Sequence, residues 1–106
     1  MRFLSVFWQA LVRLGIARET RIDRYSRLIR IGRDEYRYVE GERTLTLQID
    51  MLKGRPSKLI YPSSIDRWLP PHEDKPITDL DRKRIAQKIA DFMRKQGISV
   101  AIDDSE

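Results

Sequence analysis

His72 is the one histidine in the chain, and it stands beside Glu73 and Asp74 in the run PPHEDKP. An imidazole next to two carboxylates is the raw material of general acid–base chemistry or of a metal site. Three adjacent residues, however, do not normally converge on one ion, so zinc ligation is not expected. Ser63 and Ser64 lie upstream of that histidine, but no nucleophile elbow surrounds them. No glycine-rich phosphate loop occurs elsewhere. Glu40 and Glu42 flank a glycine, where paired acids ordinarily serve solubility. No catalytic set, metal or cofactor follows from these residues, and the chain reads as a non-enzyme.

The stretch that gathers the remaining distinctive residues is Tyr61 to Pro76, YPSSIDRWLPPHEDKP, with one of two tryptophans and four of five prolines. Consecutive prolines at 70 and 71 fix φ and remove two donors, which predicts a stiff, extended loop presenting Trp68. The competing reading is that Trp68 caps the core and the prolines route the chain to a helix.

The elements that must position this loop are legible from period. In RTLTLQIDML, Leu45, Leu47, Ile49 and Met51 alternate with Thr44, Thr46, Gln48 and Asp50, which predicts a strand with one buried side. The Glu40-Gly41-Glu42 connection pairs it in a hairpin with Tyr36 to Val39. Lys58 to Tyr61 reads as a further short strand. Ser63 and Ser64 are placed to cap a helical turn through Ile65 to Trp68. Thr78 with Asp81 starts a long helix whose apolar stripe is Ile85, Ala86, Ile89, Phe92 and Met93, and Gly97 supplies its left-handed end. Ile98, Val100 and Ile102 form a last strand. The expected fold is α+β: an antiparallel or mixed sheet of about four to five strands, one long C-terminal helix on one face, and an N-terminal amphipathic helix.

One hundred and six residues with 41% hydrophobic and 35% charged content suit a single soluble domain. With no cysteine there are no disulfides or thiolate sites, which fits a reducing cytoplasm. The net charge of +5 is unevenly placed. Residues 1–33 hold eight arginines against Glu19 and Asp23, giving +6, and the rest hold thirteen Lys/Arg against fourteen Asp/Glu, giving −1. Residues 1–24 thus form a basic amphipathic extension and 25–106 the domain. In the extension Phe3, Leu4, Val6, Phe7, Trp8, Leu11, Val12 and Leu14 leave a polar stripe of only Arg2, Ser5, Gln9 and Arg13. The segment is too short for a bilayer needing roughly 20 residues. It can dock on its own core, lie peripherally on the inner membrane, or pair residues 3–14 with a second copy or partner helix.

Arg18, Arg21, Arg24, Arg27, Arg30 and Arg33 recur every third residue. That step drifts around a helix, so they define no helical face, and Tyr25 to Ile31 reads better as a strand. The spacing suits contact with phosphates of nucleic acid or an anionic membrane, and a solvated linker accounts for it equally.

The run Ser64-Ile65-Asp66-Arg67-Trp68-Leu69-Pro70-Pro71-His72, with Pro76-Ile77 and the helix and strand beyond, resembles small immunity proteins of bacterial polymorphic-toxin systems. It is most similar to the immunity protein 74 family, over roughly Tyr36 to Ile102. Leu69 stands where the resemblance implies an acidic residue. The resemblance implies a non-catalytic inhibitor of a cognate protein toxin, with Asp66, Arg67, Trp68 and His72, and Tyr36 and Tyr38 beside them, as the contacts. A body close to neutral does not imply a basic nuclease as target. The other reading is an adaptor binding nucleic acid or membrane through its first 33 residues.

Overall fold

The computed structural model describes residues 18–103. The N-terminal helix expected over residues 1–14 lies outside them. The organising strand is β4, Arg43–Met51, in which Leu45, Leu47 and Ile49 are buried while their neighbours face the other way. It pairs antiparallel with β3, Glu35–Glu40, in a register that sets Tyr38 opposite Leu45 and Tyr36 opposite Leu47. Both tyrosines therefore enter the core. Gly41, with φ of 62°, occupies the first place of the two-residue turn, a conformation that glycine takes without steric cost. Met51 ends the buried side of β4 early and is exposed.

Six strands follow one another in sequence order across a single sheet. The remaining four are β1 (Arg18–Arg21), β2 (Ser26–Arg30), β5 (Lys58–Tyr61) and β6 (Val100–Ile102). Neighbours from β1 to β5 are antiparallel, and β6 joins β5 in parallel. A parallel neighbour cannot be reached by a tight turn, so the chain crosses over through a helix, α1, Asp79–Lys95. The Thr78 hydroxyl accepts from the Asp81 amide and the Asp81 carboxylate accepts from the Thr78 amide, each at 3.1 Å, closing a capping box. At the other end Gly97 has φ of 83°, and the Ile98 amide donates back to the Met93 carbonyl at 3.0 Å. Ile85, Ala86, Ile89, Ala90 and Met93 form the buried stripe, which meets Leu28, Tyr36, Tyr38, Leu45, Leu47, Ile49 and Ile60 of the sheet. Ile29 and Val39 are also buried, but on the opposite face, where their register partners include Arg37 and Arg27.

Three expectations are corrected. The sheet has six strands, because Arg18–Arg21, inside the stretch assigned to the extension, pairs with β2. Ser63 and Ser64 cap no turn through Trp68. They lie inside a 3-10 turn, Pro62–Ser64, where the Ser64 hydroxyl donates to the Tyr61 carbonyl at 2.6 Å and accepts from the Gln48 amide at 2.8 Å. Nor is the double proline extended: the Pro70–Pro71 peptide is cis, and the His72 amide closes a turn onto the Leu69 carbonyl at 3.0 Å. No helix among the described residues is long and apolar enough to cross a membrane.

The helix is attached by its apolar stripe, so truncating the centre of that stripe should weaken the whole fold. Ile89→Ala is expected to lower the unfolding free energy by about 2 to 5 kcal/mol. Leu80→Ala, on the exposed flank of the same helix, should change it by under about 0.5 kcal/mol. Urea denaturation followed by circular dichroism compares the two, and equal losses would contradict this packing.

Candidate functional site

Strand β5 pairs with only the second half of β4, from Gln48 to Met51. The outer edge of the first half would be left with open amides and carbonyls, and the loop after the 3-10 turn fills it. The Leu69 amide donates to the Thr44 carbonyl at 2.7 Å, and Trp68 bridges Leu45. This bridge turns the Trp68 side chain inward, where it is 3% exposed and belongs to the same core cluster as Ile65. Helix α1 holds the loop from behind, since Arg82 donates through Nε to the Ile65 carbonyl at 2.7 Å and pairs with Asp79 at 3.0 Å. The Arg43 guanidinium lies 5.7 Å from the centre of the Trp68 ring, a cation–π arrangement at the rim of the core.

Of the six residues singled out for partner contact, the fold buries three: Tyr36, Tyr38 and Trp68. The indole is the core cap of the second sequence reading, since β4's edge captures the backbone on either side of it. Asp66 and Arg67 stand outward, with side chains 77% and 70% exposed and bonded to each other at 3.1 Å. His72 is half-buried, and its Nε2 has no hydrogen-bond partner among the described residues. Glu73 and Asp74 beside it are exposed. Among the described residues no three of His, Cys, Asp and Glu gather around a common point.

The arginine series folds into the β1–β2 hairpin, which explains why period three is neither a helical stripe nor a strand face. Arg18 comes opposite Arg30 and Arg21 opposite Arg27, with Arg24 in the turn between them. Three of them are engaged within the fold: Arg21 donates to the Asp23 carbonyl, Arg27 pairs with Glu19 at 2.7 Å, and Arg30 donates to the carbonyls of Gly32 and Arg33. Arg33 is exposed in the following turn. Among the described side chains Arg27 and Arg30 point to opposite faces of β2, so the series does not form one surface.

Sequence reasoning did not anticipate a polar network that fastens α1 to the ends of the hairpins. Arg84 grips Glu40 with two parallel hydrogen bonds, of 2.9 and 3.1 Å, and the buried Tyr38 hydroxyl donates to the same carboxylate. Burial pushes Glu40 upward, but the bonds from Arg84 and Tyr38 outweigh it and hold the carboxyl below its ordinary range. Burial, then the bond to Glu40, pushes the Tyr38 phenol well up. One turn along the helix, Lys88 reaches Asp23 at 2.7 Å. Asp23 also accepts from the Ser26 hydroxyl at 2.6 Å and from the Tyr25 amide at 2.8 Å. Lys88 first, then Ser26 and Tyr25, hold this carboxyl far below its ordinary value. Contacts spanning so much of the chain leave no local spacing to read; an aspartate three residues before a serine at a turn was the one available sign.

Because Asp23 is depressed in the folded state, its contribution to stability is complete above the unfolded carboxyl value and is lost as pH falls toward the folded one. Asp23→Asn is expected to cost about 1 kcal/mol at pH 7, the scale of a partly screened ion pair with added hydrogen bonds. The gap to the parent protein should shrink progressively below about pH 4. Urea midpoints at pH 7 and pH 3 measure it, and a gap of unchanged size at pH 3 would contradict the assignment.

No curated protein and no solved structure matches the chain. The family model described as Immunity protein 74 matches residues 28–103. That span takes in strands β3 to β6, the sealing loop with Trp68 and helix α1, well over half of the molecule. The chain belongs to the Immunity protein 74 family.

Proposed function

We propose that this protein binds a cognate bacterial toxin and neutralises it by occupying its surface, with no bond made or broken by its own side chains. The observation that carries this reading is the family match across residues 28–103, since an immunity family implies a toxin as partner. Two features of the molecule support it. The sheet, helix and sealing loop form one tightly bonded body, so a partner meets a surface already in place and little ordering is lost on binding. The outward residues of the loop, Asp66, Arg67 and the exposed part of His72, have the polar and cationic character that partner surfaces use. They are the loop contacts this reading assigns. The protein then acts in the cytoplasm of the cell that makes the toxin.

The test is protection. Cells producing the toxin encoded beside this protein should survive when the full chain is co-expressed and die without it. Arg67→Glu is expected to reduce protection while leaving the thermal melt unchanged, because the side chain is exposed and its one bond is to a neighbour. Death at the same rate with and without the full chain would refute the reading.

A further inference from the structure

Among the described residues one large aromatic side chain is left outside on a part of the fold that is firmly held. Tyr25 is 68% exposed, yet its backbone is fixed at both ends. Its amide donates to Asp23 at 2.8 Å, and its carbonyl accepts from the Gly41 amide, also at 2.8 Å. Asp23 is in turn anchored to helix α1 through Lys88. The backbone that carries the ring is therefore set by the sheet on one side and, through Asp23, by the helix on the other. Beside it runs a groove of about 560 Å³ lined by Glu19, Arg21, Arg24, Tyr25, Ser26, Arg27 and Gly41.

The charges around this groove do not cancel. Glu19 is taken by Arg27, Asp23 by Lys88, and Glu40 by Arg84. Arg21 donates to the Asp23 carbonyl, and neither it nor Arg24 pairs with a carboxylate among the described residues. Glu42, on the neighbouring turn, is the nearby acid left without a pair there. An exposed tyrosine flanked by unneutralised arginines is the composition of an interface anchor for an acidic partner surface, with the ring supplying area and the guanidinium groups gripping carboxylates. Its position also bears on its role. Every lining residue except Gly41 precedes residue 28, where the family match begins. The groove therefore lies almost wholly before the matched span.

We propose that the Arg21–Arg24–Tyr25–Arg27 groove is a specificity surface that receives an acidic segment of the toxin and distinguishes this chain's own partner from others. This rests on the toxin-binding reading above, and the experiment separates the two. The full-length protein is titrated into a catalytically inactivated form of the toxin encoded beside it, followed by calorimetry. The double variant Arg24→Glu with Tyr25→Ala should bind at least about tenfold more weakly. Arg55→Glu, the same charge change on the exposed β4–β5 turn at the far end of the sheet, should bind as the parent does. Matching thermal melts establish that both variants are folded, and Arg24→Glu alone, confined to an exposed side chain, should retain part of the loss.

Parent-like affinity of the double variant would overturn the groove proposal and leave the toxin reading standing. No binding by the parent protein would take both down. A photo-crosslinking phenylalanine analogue at position 25 should capture a toxin peptide rich in Asp and Glu, and capture of a basic peptide would overturn the proposal. A twenty-residue oligothymidine that binds the parent but not the double variant, with toxin affinity untouched, would assign the groove to nucleic acid instead.

Discussion

Strand β4 is paired along its outer edge by two different partners, and much of the molecule's surface follows from where one gives way to the other. Through Gln48 to Met51 it bonds to β5; through Thr44 and Leu45 it bonds to the loop that carries Trp68 and Leu69. An edge strand with open amides is prone to pairing with other chains. Closing it with a loop removes that hazard and fixes which way the loop's side chains point. Once Leu69 donates to Thr44, Trp68 is committed to the core, and Asp66 and Arg67 remain outside. The 3-10 turn at Pro62–Ser64 makes the handover possible, since it absorbs the change between the two registers while Ser64 satisfies the Gln48 amide.

The same edge shows how far the sequence could be read. The alternation of β4, the Thr78–Asp81 capping box and the Gly97 helix end are local patterns, and each appears where its spacing placed it. The direction of Trp68 is not local. It depends on which strand edge lies open beside it, and period-2 or period-3.6 reasoning carries no information about a vacant edge many residues away. For that reason an aromatic in a proline-rich loop read equally well as a binding anchor or as a core cap. The arginine series is a second case. A regular step of three suggested contact with phosphates or a solvated linker without defining a face, and a hairpin folded through Arg24 sets the members opposite one another in pairs. Strand β1 went unseen because RETR has no apolar alternation, and it is held in the sheet by backbone bonds to β2.

Two fastenings of unlike kind hold α1 to the sheet. The apolar stripe from Ile85 to Met93 supplies the bulk of the attachment and is insensitive to direction along the helix. The polar bonds of Arg84 to Glu40 and Lys88 to Asp23 define position, because each requires a particular pair of side chains to meet. They reach the ends of hairpins and not their middles, so they immobilise turns that would otherwise be the loosest backbone in a meander. The β1–β2 turn is held in this way. Ile22 packs one side of it against the core, and the bonds to Asp23 hold the backbone that carries Arg24 and Tyr25.

That division bears on how a family can keep one scaffold and still meet different partners. Recognition by preformed surfaces loses little entropy on binding, so a partner-specific patch is most effective on rigid backbone. Of the residues that make the backbone rigid here, Glu40, Arg84 and Lys88 lie inside the matched span and Asp23 before it, together with the side chains they help to display, Arg21, Arg24 and Tyr25. Display residues can vary without disturbing the core, since Tyr25 is placed through its backbone amide and carbonyl, which any residue but proline provides. A substitution at position 25 thus alters what the turn offers and leaves how it is held unchanged, and those are the conditions under which specificity can change without loss of fold.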